Sequence, residues 1–273
     1  MGNTEVPLEK DDLPAAQALV SEAGWNQNAN DWRIFLELGS ALAVKERGRL
    51  VATAATLPYP SGFGWISMVL VAGTHRRRGI ATRLLERCMA SLREAGMVPV
   101  LDATPAGREV YKPLGFCDGW AITRWRRQSG FRMENVARSL EEKDWPDVLA
   151  LDAQAFGCDR APLLERLRSR STGFGCVVEG KGFLLGREGR VATQLGPIVA
   201  KDEATAQALV AFACARIRGE VLLDALDRHA GLAGWLETRG FARERPYTRM
   251  ALGRDELFGD PRRLAAIAGP ELG

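Results

Sequence analysis

The sequence predicts a mixed α/β fold built in tandem, and three observations predict it. Residues 68–101 run strand, basic glycine-bearing turn, helix, strand. The landmarks of that run return in the second half, which suggests an internal repeat at domain scale. The chain has 273 residues, 46% of them hydrophobic, enough to bury two separate cores.

The elements follow in order. Met68-Val69-Leu70-Val71-Ala72 reads as a strand, and Gly73 to Gly79 as a turn carrying His75, Arg76, Arg77 and Arg78. Ile80, Leu84, Leu85, Cys88, Met89 and Leu92 then recur at helical spacing. They predict a helix over Ala81–Ala95 with a buried face at Leu84, Leu85, Cys88, Met89 and Leu92. Its exposed face would carry Arg83, Glu86 and Arg87, and Gly96 would close it. Val98-Pro99-Val100-Leu101 reads as the next strand, with Asp102 near its end. The basic segment Ile122–Arg132 reads as a final strand running into a linker, so the halves are expected at 1–130 and 131–273.

Beyond the linker the pattern restarts. A strand is expected over Met133–Leu140, helices over Glu141–Ala155 and Leu163–Arg170, and short strands over Gly175–Val178, Gly182–Leu185 and Val191–Leu195. A helix is expected over Ala204–Arg218. Val100-Leu101-Asp102-Ala103 is echoed by Leu222-Leu223-Asp224-Ala225, and Leu114-Gly115-Phe116 by Arg239-Gly240-Phe241.

The basic turn has a chemistry of its own. A helix start leaves backbone N–H groups without partners, and the aligned peptide dipoles add positive charge there. Gly79 and Ala81 would let a phosphate approach that backbone, and Arg76, Arg77 and Arg78 add formal charge. The turn is no P-loop, because no Gly-Lys-Ser/Thr follows, and it lacks the Gly-x-Gly-x-x-Gly of a dinucleotide fold.

Arg76-x-x-Gly79-x-Ala81, followed by Tyr111-Lys112-Pro113-Leu114-Gly115-Phe116, resembles the two signatures of the GNAT superfamily of N-acetyltransferases. The resemblance is strong over Leu50–Phe116 and implies two GNAT-like domains, each a twisted, mostly antiparallel sheet flanked by helices; Gly196–Ala200 resembles the matching strand of the second domain in tandem members, placed before the helix over Ala204–Arg218. It implies acetyl-CoA as co-substrate, a primary amine of a small molecule or peptide as acceptor, and no metal. Val69, Leu70 and Val71 would bind the pantetheine arm through their backbone. The pyrophosphate would sit on Arg76, Arg77, Arg78, Gly79, Ile80, Ala81 and Thr82. Tyr111 would be the general acid, since a phenol is protonated at neutral pH.

The base stays open between Asp102, His75 and water. Asp102 reads equally as a cap on the turn Ala103-Thr104-Pro105, and His75 as a solvated side chain of the turn. Trp25, Asn26 and Trp32, in a segment rich in Trp and Asn, are candidates for the acceptor site or for packing.

The second half departs from the first where the chemistry lies. Lys201-Asp202-Glu203-Ala204 replaces Arg76-Arg77-Arg78-Gly79, so an acidic pair stands where a phosphate would bind, and Leu236 stands for Tyr111. This half is expected not to catalyse. A silent acyl-CoA-binding protein is the alternative to an enzyme, though a sensor has no use for Tyr111.

A net charge of +3 is too mild for a nucleic-acid binder, and no aromatics interleave with the arginines. Five scattered cysteines without a C-x-x-C pair suit reduced thiols and a cytoplasmic protein, monomer or homodimer. No apolar run reaches membrane-spanning length, and two histidines cannot make a histidine-rich metal site.

Overall fold

The computed structural model describes residues 4–127 and 136–273. The expected linker around Phe131 and the start of the strand expected at Met133 lie outside the described residues. The chain packs as two compact units, Met1–Leu101 and Asp102–Gly273.

In the first unit the elements are β1 (Thr4–Pro7), α1 (Leu13–Glu22), α2 (Ala29–Leu38), β2 (Ser40–Glu46), β3 (Arg49–Tyr59), β4 (Phe63–Val71), α3 (Ile80–Glu94) and β5 (Val98–Ala103). The last two residues of β5 fall in the second unit. The strands lie in the order β1-β2-β3-β4-β5. All neighbours are antiparallel except β4 and β5, which are parallel. Val51–Leu57 of β3 are all buried, which is why this strand reads as a continuous run of apolar and small residues rather than an alternation.

Helix α3 turns the expected face inward: Ile80, Leu84, Leu85, Cys88, Met89 and Leu92 are buried, and Arg83, Glu86 and Arg87 are exposed. It stops where Gly96 takes φ 71°. The Met97 N–H then reaches the Leu92 carbonyl and the Gly96 N–H the Arg93 carbonyl, both at 2.9 Å. This pair of bonds satisfies the last carbonyls of the helix.

The second unit holds α4 (Pro105–Tyr111), β6 (Phe116–Arg127), β7 (Arg138–Ser139), α5 (Trp145–Phe156), α6 (Ala161–Arg170), β8 (Cys176–Val178), β9 (Gly182–Glu188) and β10 (Thr193–Ala200). It continues with α7 (Glu203–Cys214), β11 (Val221–Leu226), α8 (Ala230–Thr238), β12 (Ala242–Leu252) and β13 (Leu264–Ala266). The strand order is β12-β6-β11-β13-β10-β9-β8-β7, with β10 and β11 also paired directly.

Several elements differ from the sequence expectation, among them α5, β10 and α7. Helix α5 starts at Trp145 rather than Glu141, because Glu141 and Asp144 close a capping box on a preceding 3-10 turn. The two strands expected over Val191–Leu195 and Gly196–Ala200 are one strand, β10, with a register shift between Leu195 and Ile198. Helix α7 ends at Cys214, four residues short of Arg218, and the Arg216 guanidinium stacks 3.4 Å from the Phe212 ring centroid.

The last strand of the first sequence half does not pair within that half. β6 runs antiparallel to β11 on one side and β12 on the other, both from the second half. Two buried ion pairs bridge the halves. Arg124 of β6 grips Asp224 of β11 with Nε and Nη2 at 2.7 and 2.8 Å. Arg249 of β12 grips Asp102 of β5 in the same way, with both distances 2.9 Å. The arginines stand in related settings, Ile122-Thr123-Arg124 and Tyr247-Thr248-Arg249.

Removing one partner of a buried pair strands a charge away from water, which costs about 3–5 kcal/mol. Arg124→Ala is therefore expected to lower the unfolding free energy by that amount, read from urea denaturation. An Arg124→Met, Asp224→Leu double substitution should recover most of the loss.

Candidate active site

The parallel ladder between β4 and β5 is short. Phe63, Gly64 and Trp65 register with Val98, Pro99 and Val100, and no further pair follows. Beyond it β4 bulges: Met68 takes φ 53°, and the register against β3 shifts between Thr53 and Ala55. Thr53 Oγ1 fixes the bulge by donating to the Met68 carbonyl at 2.9 Å. The strand is thereby turned so that one edge of its last residues has no ladder partner in this unit.

That edge opens on a cleft of about 520 Å³, lined by Val69, Leu70 and Val71 of β4 and by His75, Arg76, Arg77, Gly79, Ile80, Ala81 and Thr82, with Ala23 and Trp25 on the opposite wall. The structure thus brings together nine of the ten sequence-predicted cofactor residues. Arg78 is not on the lining; its Nη2 donates to the Thr74 carbonyl at 3.1 Å and so braces the turn.

The turn is shaped by backbone. Arg77 takes φ 61° and Gly79 φ 72°, and no side chain caps the start of α3. A Cβ on Gly79 would meet no backbone, only the Arg83 guanidinium at 3.6 Å, but its positive φ would strain any other residue. Two carboxylates pin the turn from behind. Glu22 Oε1 accepts from the Gly73 N–H at 2.6 Å, and Glu46 Oε2 lies 2.8 Å from His75 Nε2. His75 also contacts Thr74 Oγ1 through Nδ1. It is therefore held in place rather than solvated, which corrects that expectation. The bond from His75 holds the Glu46 carboxyl below its usual range.

Two acceptor-site candidates move. Trp32 is fully buried and packs edge-on against Phe35 with centroids 6.3 Å apart, so it belongs to the core and cannot touch an acceptor. Asn26 is buried at 6% exposure. Trp25 lines the cleft.

The second unit contains the two catalytic candidates. Tyr111 ends α4, which starts on Thr104, whose Oγ1 accepts from the Gly107 N–H at 3.2 Å. Thr104, not Asp102, therefore caps this turn. Gly107 makes room for the tyrosine, since a Cβ there would lie 3.0 Å from Tyr111 Cε2. The ring packs against Phe116, and among the described residues no group hydrogen-bonds its hydroxyl. Burial raises the phenol above its usual range, so it stays protonated at neutral pH. Next to it Asp118 accepts from Arg108 and Lys112, whose charges hold its carboxyl down at about 2.

Asp102 does not fit the role of base. Its side chain has 0% exposure and both oxygens are committed to Arg249. Burial pushes the carboxyl up against the pull of that guanidinium, yet no acceptor amine can reach it. Among the described residues no group of three or more His, Cys, Asp or Glu could hold a metal.

The second half repeats the frame without the cradle. Asp202 caps α7, its Oδ1 accepting from the Thr205 N–H at 2.7 Å, so a carboxylate already fills the position of an incoming anion. Leu236, in the place of Tyr111, is buried in the core.

Comparison with known proteins gives the family. Residues 9–116 match the acetyltransferase (GNAT) family, and residues 148–264 match the acetyltransferase (GNAT) domain. The chain belongs to the GNAT N-acetyltransferases, as a tandem member, and is an acyltransferase. It is 23% identical to the uncharacterized N-acetyltransferase YitH of Bacillus subtilis (strain 168), covering 88% of each chain. Among solved structures, a chain from Pyrococcus horikoshii assigned provisionally as an acetyltransferase superposes with a TM-score of 0.86 at 20% identity, covering 100% of this chain and 96% of that one. A tandem GNAT protein from the clavulanic acid biosynthesis pathway gives 0.66 at 12% identity, covering 94% and 100%.

If Asp102 is a brace and not a base, Asp102→Asn should lower the unfolding free energy by about 3 kcal/mol or more while leaving the pH profile of turnover in place. A displaced acid limb in that profile would return the base to Asp102.

Proposed function

We propose that the protein transfers an acetyl group from acetyl-CoA to a primary amine of a small molecule or peptide, with the cofactor held by residues 1–130. The observation that carries this is the cleft between diverging β4 and the start of α3. It joins an unpaired strand edge at Val69–Val71 to an uncapped helix start at Gly79–Thr82 within one cavity of about 520 Å³. An extended amide-bearing arm ending in a pyrophosphate needs both, in that order. A strand edge offers ladder hydrogen bonds, and a helix start offers free N–H groups with positive dipole charge. GNAT proteins generally use acetyl-CoA, which fits this cleft.

The residues then divide the work. The backbone of Val69–Val71 orients the thioester, and an N–H of that edge takes up charge developing on its carbonyl oxygen. Arg76 and Arg77 neutralise the phosphates. The amine nitrogen attacks the carbonyl carbon, the carbon–sulfur bond breaks, and the amine gives up a proton to water. Tyr111, protonated and with its hydroxyl free, supplies the proton that the departing thiolate takes. Asp102 has no part in these steps. Residues 131–273 complete the scaffold without catalysing. Five free cysteines suit a reducing compartment, and we place the protein in the cytoplasm.

Thiol release from acetyl-CoA across a panel of amines, polyamines, aminoglycosides and peptide N-termini tests the activity. Binding of acetyl-CoA with no release for any amine would favour a silent binder. Gly79→Trp should abolish acetyl-CoA binding by titration calorimetry. Tyr111→Phe should keep that affinity and lower turnover by roughly 10²-fold, the usual size of a general-acid contribution; equal turnover in the two enzymes would remove Tyr111 from the mechanism.

A further inference from the structure

We infer that the second half holds a cleft of the same construction, a binding site for an extended apolar strand, and that its resident ligand is residues 264–268 of this same chain. Each chain then takes up acetyl-CoA once only. The inference rests on reading the first cleft as the acetyl-CoA site.

The two halves build their clefts alike. β10 and β11 are parallel over three rungs, Thr193 with Val221, Gln194 with Leu222 and Leu195 with Leu223. β4 and β5 share three rungs as well. Past those rungs each first strand breaks register with its antiparallel neighbour, β4 at the Met68 bulge and β10 between Leu195 and Ile198. In the first half the divergence gives the open cleft.

In the second half the divergence is filled. β13 lies between the two strands, with Ala266 opposite both Ile198 and Ala225, and Leu264 opposite Val199. The Ala200 N–H donates to the Arg263 carbonyl at 2.9 Å, and the Ile267 N–H to the Asp224 carbonyl at 3.0 Å. The strand-edge groups that an extended ligand would use are thus taken by Leu-Ala-Ala-Ile-Ala.

The occupant is fitted, not leaning. A Cβ on Gly196 would stand 1.9 Å from the Ile267 carbonyl oxygen, so the floor of the cleft is glycine where the segment passes. Residues 264–269 and 271–273 are buried. Arg187 Nη1 donates to the Ala268 carbonyl at 2.6 Å and its Nη2 pairs with Glu271. Arg160, itself gripping Asp152, donates to the Gly273 carbonyl at 3.0 Å. Asp202 closes the phosphate end of the same cleft by capping α7.

The test uses the full chain and a version with a protease recognition sequence placed at exposed Asp255–Glu256. Native mass spectrometry with acetyl-CoA counts bound molecules, and hydrogen exchange locates them. One molecule per chain is expected, with added protection confined to residues 69–82. The Ile267 amide should exchange slowly whether or not acetyl-CoA is present, and the nicked segment should stay bound to the folded remainder. A second bound acetyl-CoA, protection arising in 193–200 or 221–226, fast exchange at Ile267, or release of the nicked segment from a folded chain would each overturn the inference. Should no acetyl-CoA bind at all, the proposed function fails, and the Ile267 exchange rate and the fate of the nicked segment still decide the occupant.

Discussion

The rest of the structure depends on a pair of reciprocal grips, Arg124 on Asp224 and Arg249 on Asp102. All four side chains are at 7% exposure or less, and each carboxylate is at 0%. A lone carboxylate in such a place would be driven to protonate or to drag water in. The planar fork of an arginine answers both oxygens at once, which an ammonium cannot. In each case the arginine is contributed by the sequence half that does not own the aspartate. The strand bearing it must therefore be threaded into the other half, and β6 accordingly runs between β11 and β12. One electrostatic requirement, met twice, explains why the compact units and the sequence repeat do not share a boundary.

From the same frame the two clefts reach opposite states. Each needs a three-rung parallel ladder and a register break in its first strand. What differs is small. One helix starts on Gly79 with left-handed backbone and no cap, the other on Asp202 with its carboxylate already accepting an N–H. One strand edge faces a cavity, the other faces β13. Anion binding at a helix start is a matter of which backbone groups remain free, so a capping side chain is enough to retire the site.

Much of the first half was legible because its signals are local. The face of α3 follows from spacing alone, and its end from Gly96. That these residues share one cleft was legible because the glycine at positive φ and the clustered arginines occupy adjacent positions. Long-range choices were not. Nothing local says that β6 pairs with strands a hundred residues away, although Ile-Thr-Arg at 122–124 and Tyr-Thr-Arg at 247–249 carried a hint of reciprocity. Asp102 stayed open between a base and a turn cap because a strand-end carboxylate looks exposed until its partner, 147 positions later, is placed. Trp32 stayed open between acceptor site and packing for the same reason, since a tryptophan near asparagines gives no sign of the core above it. The strand β13 hid in a run of small residues whose meaning lies in the gap it fills.

The second half has a structural task at the end of β5, whatever its chemistry. β5 pairs with β4 through Val98–Val100, and two residues past that ladder stands Asp102, held by Arg249 of β12. If the second half were absent, Asp102 would be a buried charge without a partner and β6 a strand without neighbours. The most direct ways to relieve that strain are to protonate the aspartate or to let the end of β5 move outward to water.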